Sequence, residues 1–426
     1  MQALQMTPEQ KTESERMLQV EEIRSLQEFE KVREEWRQLQ IATGEPSILL
    51  SHPWFEVCAT SLPADQQLLV LLLRNDGRLV GAAPLVKQRN HVRRMPVRQI
   101  RFLENPLTPF VDFLFVEPLA AFHAILAHFR KTHTDWDVLS LHKLREDSAH
   151  FALYRSVLQK EKWTFRESVV GRTPFLRIEQ SWEDFYKSKS QKFTKTRRSV
   201  TNRVEALGPI SIEQVTRQED AALGLEQMLK VSEKSWTRRE GADLLTAEFE
   251  KEFFQRLTKV ASQAGWIRLW LLKKGNEALA AEYHIEDHGT AYGLRAHYDA
   301  DFASSSPGAY LDTRIVQQLF QNGHSVYDMG PGMVGYKLAW TDTFYQCQGI
   351  DLYNPRFYSQ FLGKLETRWI PALKESALWR WIGKTREKKT TGETKENKEN
   401  DSKPANETSD QKQSASASRP VSARLE

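Results

Sequence analysis

Cysteine is scarce in this chain, and long apolar runs are missing from it. The 426 residues include two cysteines, Cys58 and Cys347. Two cysteines so far apart exclude a disulfide framework and a metal site built on paired thiolates. No stretch approaches the roughly 18 apolar residues that a membrane span requires, and the amino terminus shows no basic-then-apolar signal pattern. We therefore expect a cytoplasmic protein without a membrane span or a metal ion.

Neither sign of charge dominates the composition. Sixty basic and 56 acidic residues leave a formal net charge of +4, which does not favour nucleic acid as a general partner. Hydrophobic residues make up 40% of the chain and aromatic residues 10%, as is ordinary for a globular protein. The length exceeds what one hydrophobic core usually serves, so we expect two domains.

Apolar periodicity and turn residues predict alternating strands and helices. In the first half the predicted elements are a helix over Ser14–Gln40, a hairpin of Leu68–Leu73 and Leu79–Val86, a strand Phe110–Val116, a helix Ala120–Arg130, a strand Val138–Leu141 and a helix Ser148–Lys160. In the second half they are a strand Ile210–Val215, helices Asp220–Trp236 and Ala247–Ala264, strands Ile267–Leu272, Ala278–Ile285 and Ala291–Tyr298, a helix Gly308–Asn322, and strands Ser325–Met329 and Phe344–Leu352.

The turn between strand Ala291–Tyr298 and the helix after it is typical of an anion site. Ser306 suits an N-cap, Pro307 suits the first helical position, and Gly308 lets a ligand approach the backbone. The start of a helix offers unpaired N–H groups and the positive end of its dipole, which is how pyrophosphate is commonly held. Taken alone, the same three residues are also consistent with an ordinary helix start.

A second cluster follows the next strand. Asp328 stands at the strand end, Gly330 lies in a segment that can adopt positive φ, and Tyr336 and Lys337 come shortly after. Strand ends are where open α/β sheets place their chemistry, so Asp328 is a catalytic candidate that could orient an amine or Lys337. Lys337 is itself suited to a phosphate or an acyl oxyanion. Asp328 as a turn cap and Lys337 as an exposed side chain are the structural alternatives.

The order of elements, the Ser-Pro-Gly turn and the cluster from Asp328 to Trp340 together resemble the GNAT superfamily of acyl-CoA N-acyltransferases. The resemblance is closer to the CelD-like group, which is related to FemAB-type transferases built from two GNAT-like halves. It implies an α/β fold with an α+β mixed sheet and two tandem GNAT-like halves. The usual Gly-x-Gly or Gly-x-Ala cofactor signature is replaced by Ser304-Ser305-Ser306-Pro307-Gly308.

The residue pattern and the resemblance together predict a division of the chain, and the resemblance implies a route for the cofactor. The predicted parts are an N-terminal helical segment (1–44), a degenerate GNAT-like half (45–178), a GNAT acetyltransferase domain (179–354), an amphipathic helix (355–382) and a disordered tail (383–426). In a GNAT-like sheet two parallel strands splay apart, acyl-CoA enters the gap, and its pyrophosphate rests on the following helix. Here the gap would lie between Ala291–Tyr298 and Ser325–Met329.

Acyl transfer to an amine needs a base for the attacking nitrogen and an acid for the leaving thiolate. Alternation along Ala278–Ile285 puts Glu282 and His284 on one face, so either is a candidate base. Tyr298 and Tyr336 are candidate acids. Each could instead be a buried polar residue with a satisfied hydrogen bond.

Basic and aromatic residues suggest where an acceptor binds. The stretch with Lys187, Lys192 and Arg197 predicts a helix with one strongly basic face, suited to an anionic substrate or simply solvated. Trp236 and Trp340 are candidate acceptor contacts or core residues. First-half residues that could wall the same cleft are His52, Trp54, His142 and the loop Asn105–Pro109.

These observations favour an N-acyltransferase that moves an acyl group, in the first instance acetyl, from acyl-CoA to an amine without a metal. The resemblance associates the acceptor with a sugar or glycolipid precursor of bacterial exopolysaccharide or cellulose production. One alternative is a FemAB-like transferase that uses aminoacyl-tRNA. The other is a non-catalytic binding module on a degenerate acyltransferase scaffold, with the disordered tail as a contact for a protein partner.

Overall fold

A computed structural model describes residues 18–132, 135–235 and 246–375 of the chain. The strands are β1 (Gln19–Ile23), β2 (Gln67–Asn75), β3 (Arg78–Val92), β4 (Met95–Phe102), β5 (Leu114–Phe115), β6 (Val138–Arg145), β7 (Phe165–Arg177), β8 (Ile210–Val215), β9 (Ile267–Lys274), β10 (Glu277–Asp287), β11 (Thr290–Tyr298), β12 (Val326–Asp328) and β13 (Phe344–Tyr353). The helices are α1 (Leu26–Lys31), α2 (Arg33–Thr43), α3 (His52–Thr60), α4 (Pro118–Lys131), α5 (Ala149–Lys160), α6 (Trp182–Ser188), α7 (Gln191–Glu205), α8 (Gln218–Glu233), α9 (Ala247–Gln263), α10 (Pro307–Gln321), α11 (Gly335–Leu338), α12 (Phe357–Lys364) and α13 (Ile370–Glu375).

The strands form one mixed sheet, and its order shows that a single plan occurs twice. The order is β1-β2-β3-β4-β6-β13-β7-β12-β11-β10-β9-β8, with β5 beside β3. Each half contains one parallel pair, β4 with β6 and β11 with β12. A helix that begins with proline precedes the second strand of each pair, α4 with Pro118 and α10 with Pro307. The two halves therefore have the same succession of strands and crossover helix.

The halves exchange their last strands at the centre of the sheet. Strand β7, from the first half, pairs with β12 of the second half. Strand β13, from the second half, lies between β6 and β7 and is antiparallel to both. The boundary expected between residues 178 and 179 remains a prediction, but neither side of it holds a complete sheet.

The two faces of the second half are covered by different helices. On β10, Tyr283 and Ile285 share a core cluster with residues of α8 and α9. Ala280 belongs to another cluster, which contains residues of α7 and α10. Since side chains alternate along a strand, Glu282 and His284 point to the side of α7 and α10.

Most of the predicted elements are confirmed, and two predictions are wrong in part. The helix expected over Ser14–Gln40 is broken by strand β1, after which Ser25 and Glu28 form a capping box that starts α1. The strand expected over Phe110–Val116 is reduced to β5. The hairpin at Asp76-Gly77 is confirmed, with both residues at positive φ. Strands β4 and β7 were not foreseen.

The end of the described chain is helical, as expected for part of 355–382. Helix α12 continues through a π-helical turn, Leu365–Trp369, into α13. The expected tail and the end of the amphipathic segment lie outside the described residues. Within those residues, no helix is both long enough and apolar enough to cross a bilayer. The connection between β9 and β10 is a short hairpin.

Candidate active site at the opening between β11 and β12

The expected gap is present, because β12 ends long before β11 does. The two strands share three parallel register pairs, of which Tyr292 with Asp328 is the last. Strand β11 continues to Tyr298, paired only with β10. The chain leaves β12 through Gly330, at φ 73, where a Cβ would lie 2.5 Å from the Gly293 carbonyl oxygen. From Leu294 to Tyr298, the edge of β11 therefore offers backbone groups that β12 does not use.

The turn that the sequence predicts as an anion site lies at the start of α10. Ser306 has φ 62 and ψ 54, the left-handed region, and its side chain makes no capping hydrogen bond. Instead its Oγ accepts a 3.1 Å hydrogen bond from Nη2 of Arg203, so the expected serine N-cap interaction is not formed. The N–H groups of Gly308 and Ala309 lie in the first turn, where no intrahelical acceptor exists. A Cβ on Gly308 would lie 3.3 Å from the Tyr298 ring, which places this turn against the end of β11.

Asp328 is buried at the mouth of the gap and is held on both oxygens. Its Oδ1 accepts a 2.8 Å hydrogen bond from the Gly330 N–H, and its Oδ2 accepts a 2.6 Å hydrogen bond from the Tyr345 hydroxyl. Burial raises the pKa of Asp328, although these two donors oppose the rise. The contact with Gly330 is the turn cap that the sequence left open as an alternative. Tyr345, from the last strand, was not foreseen as a partner.

Lys337 is buried, not solvated. Only 6% of it is exposed, and its Nζ donates to the carbonyl oxygens of Gly330 at 3.0 Å and Pro331 at 2.9 Å. Burial lowers the pKa of Lys337 to about 8, while the nearby carboxyl groups of Asp328, Asp312 and Glu282 oppose that fall. The side chain therefore carries an ammonium at neutral pH beside the opening.

Glu282 and His284 lie together on the face where the sequence placed them. Both are buried, and Nε2 of His284 lies 3.3 Å from Oε2 of Glu282. The His284 ring stacks on Tyr327 at 5.3 Å between centroids, and its buried Nδ1 has no hydrogen-bond partner in the described structure. A neutral imidazole could use that nitrogen as an acceptor.

Asp312 is a third acidic group at this site, and sequence reasoning missed it. It is buried on α10, and its Oδ2 accepts a 2.5 Å hydrogen bond from the indole of Trp340. Burial, reinforced by the charge of Glu282, raises the pKa of Asp312 to about 7. A signal was available, because Asp312 precedes Val316 by four residues and therefore lies on the buried stripe of α10.

The two candidate acids stand at different places around the opening. Tyr298 is half-buried at the end of β11, against Gly308. Tyr336 is 46% exposed, and Nζ of Lys337 lies 6.0 Å from the centroid of its ring. Desolvation and the charges of Glu282 and Asp312 raise the pKa of Tyr336, so its phenol stays protonated and can donate a hydrogen bond.

The residues expected to bind the acceptor divide into exposed and buried ones. Lys192 is exposed on α7. Arg197 is buried, donates to the Ala309 carbonyl at 3.1 Å and lies 4.7 Å above the Trp340 ring. Both Arg197 and Trp340 thus pack α7 against α10 instead of facing the opening. Trp236 lies outside the described residues.

The first-half residues suggested as walls of the cleft are engaged elsewhere. His52 stacks on Phe29, and Trp54 is fully buried, with its ring 6.2 Å from that of Phe253 on α9. His142 pairs with Asp351 at 2.8 Å. Asn105 is buried and bonds the thiol of Cys58. Packing and hydrogen bonding inside the protein account for these four residues. Such contacts cannot be predicted from the residue types alone. No cluster suited to a metal ion occurs in the described ranges.

Comparisons with known proteins give one family match and several similar structures. Residues 191–338 match the family described as the acetyltransferase (GNAT) domain. The structure of FemX covers 80% of this chain and 100% of its own, at 12% identity and a TM-score of 0.51. A tandem GNAT protein from the clavulanic acid biosynthesis pathway, solved without acetyl-CoA, covers 79% of this chain and 100% of its own, at 11% identity and a TM-score of 0.45.

A search of curated proteins found no match. The repeated strand order and the similarity to FemX concern the fold of the whole described chain. The sequence match concerns the segment from α7 to α11, which includes the opening, the start of α10 and Lys337. The chain therefore has an α/β fold with two tandem GNAT-like halves, and its residues 191–338 resemble a GNAT acetyltransferase domain.

Proposed function

We propose that this protein is an N-acyltransferase that moves an acyl group, in the first instance acetyl, from acyl-CoA to an amine. One observation carries the proposal. The buried ammonium of Lys337 lies beside the point where β11 loses β12 as its neighbour. A fixed cation next to an open strand edge suits an acyl carrier whose amide groups pair with the strand and whose acyl oxygen gains negative charge.

The start of α10 fits the pyrophosphate of the carrier. The N–H groups of Gly308 and Ala309 and the positive end of the helix dipole are available to an anion. The guanidinium of Arg203, on α7, stands at the same turn through its bond to Ser306. These residues would supply positive charge and hydrogen-bond donors to the pyrophosphate, although the glycine signature that is usual in GNAT proteins is missing.

Lys337 would stabilise the developing oxyanion, and the acidic residues would accept the proton of the acceptor amine. Glu282, His284 and Asp312 are the candidates for the base. Asp312 has a pKa of about 7, which is suited to proton exchange at neutral pH. His284 has a free nitrogen, and Glu282 lies within hydrogen-bond reach of it. Tyr336 would donate to the sulfur of the leaving thiolate.

We further propose that the acceptor is an amine on a negatively charged molecule. The CelD-like resemblance supports an amine on a sugar or glycolipid precursor, in exopolysaccharide or cellulose production. The exposed basic face of α7, which includes Lys192, favours an acceptor that carries negative charge.

Calorimetric titration with CoA and acetyl-CoA tests the proposal. We expect saturable binding, and we expect Arg203→Ala to raise the dissociation constant about tenfold, since a hydrogen-bonded charge contributes on the order of 1.5–3 kcal/mol. The matched control is Arg217→Ala, an exposed arginine paired with Asp220 on the N-terminal side of α8. No binding at millimolar CoA, or equal losses in both variants, would refute the assignment of the carrier site.

A further inference from the structure

The segment from Pro331 to Phe344 reverses the usual placement of apolar and charged side chains. Its lysine, Lys337, is buried. Four large apolar side chains, which we name the apolar rim, are exposed: Met333 by 37%, Val334 by 49%, Leu338 by 43% and Phe344 by 37%. Single exposed apolar residues are common on proteins, but a contiguous group of them marks an interaction surface.

The apolar rim is held in a defined position by the buried residues between its members. Lys337 bonds the carbonyl oxygens of Gly330 and Pro331. Trp340 bonds Asp312 on α10. The segment is therefore tied at two of its buried residues, and its apolar side chains are turned outward by that anchoring.

A row of exposed cations lies on α7, the helix that packs against the same segment. Lys192, Lys195 and Arg198 recur every three residues on the outer side of α7. The inner side of this helix packs on the buried anchor of the segment, since the ring of Phe193 lies 5.1 Å from that of Trp340. Lys189, just before α7, donates to the carbonyl oxygen of Trp340. The one acidic residue between Pro331 and Phe344 is Asp342.

We propose that the apolar rim and the basic row of α7 together dock the protein on an anionic membrane surface. Apolar side chains that enter the boundary of the acyl chains, flanked by lysine and arginine at the headgroups, are the arrangement by which proteins bind a membrane without crossing it. The charge of the row selects an anionic surface over a neutral one. The inference goes beyond the proposed acyl transfer, and it would place the opening beside Lys337 at the lipid surface.

Cosedimentation of the full chain with vesicles tests the inference. The vesicles are phosphatidylcholine with 30% phosphatidylglycerol, and phosphatidylcholine alone. We expect pelleting with the anionic vesicles, reduced by high salt, and little with the neutral ones. The double variant Val334→Asp/Leu338→Asp should weaken binding at least tenfold. Lys192→Glu/Lys195→Glu should do the same, since each cation near an anionic surface contributes about 1 kcal/mol, a factor of about five.

Matched variants on other surfaces control for general effects of the substitutions. Leu223→Asp changes an exposed leucine on α8, and Lys251→Glu/Lys259→Glu changes two exposed lysines on α9. These variants should bind as the unchanged protein does, and circular dichroism should show that all variants are folded. Equal binding to both vesicle types, or equal losses in rim and control variants, would overturn the inference. Self-association without vesicle binding, abolished by Val334→Asp/Leu338→Asp, would assign the rim to a second copy and would also overturn it.

Because binding is read from vesicles without CoA, its failure would leave the proposed acyl transfer standing. Conversely, a protein that binds vesicles but no CoA would refute the enzyme proposal alone.

Discussion

The indole Nε1 of Trp340 donates a 2.5 Å hydrogen bond to the carboxylate of Asp312, 28 residues earlier in the chain. The bond joins the segment after β12 to the helix that begins at Pro307. The bond therefore holds the segment after β12 and helix α10, which flank the opening, in a fixed relative position. The buried carboxylate accepts the bond most strongly when it is ionised.

We predict that Trp340→Phe destabilises the protein more at pH 8 than at pH 5. Phenylalanine keeps an aromatic ring beside Phe193 but leaves the ionised Asp312 without its donor, which costs on the order of 1–3 kcal/mol for a buried group. At pH 5 Asp312 is protonated in the folded state, since its pKa is about 7, and the cost is smaller. Urea unfolding at both pH values measures the difference. Trp163→Phe is the control, because its indole bonds Glu161, and a similar pH dependence there would contradict the prediction.

The raised pKa of Asp312 also predicts how the free energy of unfolding depends on pH. Its pKa of about 7 in the folded protein exceeds the roughly 3.9 of an unfolded aspartate. The folded state therefore binds the proton more tightly, and this group contributes stability below about pH 4 that is lost as the pH rises to about 7. Asp312→Asn should become progressively more stable relative to the unchanged protein from pH 4 to pH 7. The exposed Asp342→Asn should show no such trend, and parallel curves for Asp312→Asn would mean that Asp312 titrates normally.

Local signals in the sequence predicted the second half well, because its strands and helices are uniform in period and separated by glycine. The strand Ile210–Val215 has the predicted bounds, and α10 begins one residue before its predicted start. The first-half error at Ser14–Gln40 arose because Ile23 stands three residues before Leu26 and continues the spacing of the helix that follows, whereas pairing with β2 makes β1 a strand. The local propensity of a segment for helix or strand carries no information about a partner strand far away in the chain.

The candidate site was predictable only where its residues follow a strand or a turn. Asp328 and Lys337 were found in this way, and the structure shows that both are buried. Tyr345 was missed because its partnership with Asp328 depends on the exchange of β13 into the middle of the sheet. Arg197 was interpreted as part of a basic face, and its burial against Trp340 depends on how α7 packs on α10. Such long-range packing leaves no local pattern.

The strand exchange predicts that the halves do not fold separately. A fragment that ends at residue 178 lacks β13 beside β6, and a fragment from 179 to 375 lacks β7 beside β12. Each fragment would expose the edge of a central strand, with unpaired backbone groups. We expect each fragment alone to lack a cooperative thermal transition and the two expressed together to recover one. A cooperative transition in either fragment alone, followed by circular dichroism, would show that the boundary separates independent domains.

We predict that Lys337 and Lys187 differ in their effect on turnover. If the Lys337 ammonium stabilises charge that develops on the acyl oxygen, Lys337→Ala should lower turnover at least tenfold, since a preorganised donor contributes about 2.7–4 kcal/mol. Lys187 is exposed at the end of α6, and Lys187→Ala should leave turnover unchanged. Because the pKa of Lys337 is about 8, turnover of the unchanged protein should fall as the pH rises above 8. Lys337→Arg, which stays charged, should retain part of the activity without that fall. Acyl transfer at saturating donor measures all four proteins, and small, equal effects of the two alanine variants would mean that Lys337 serves only to hold the turn at Gly330.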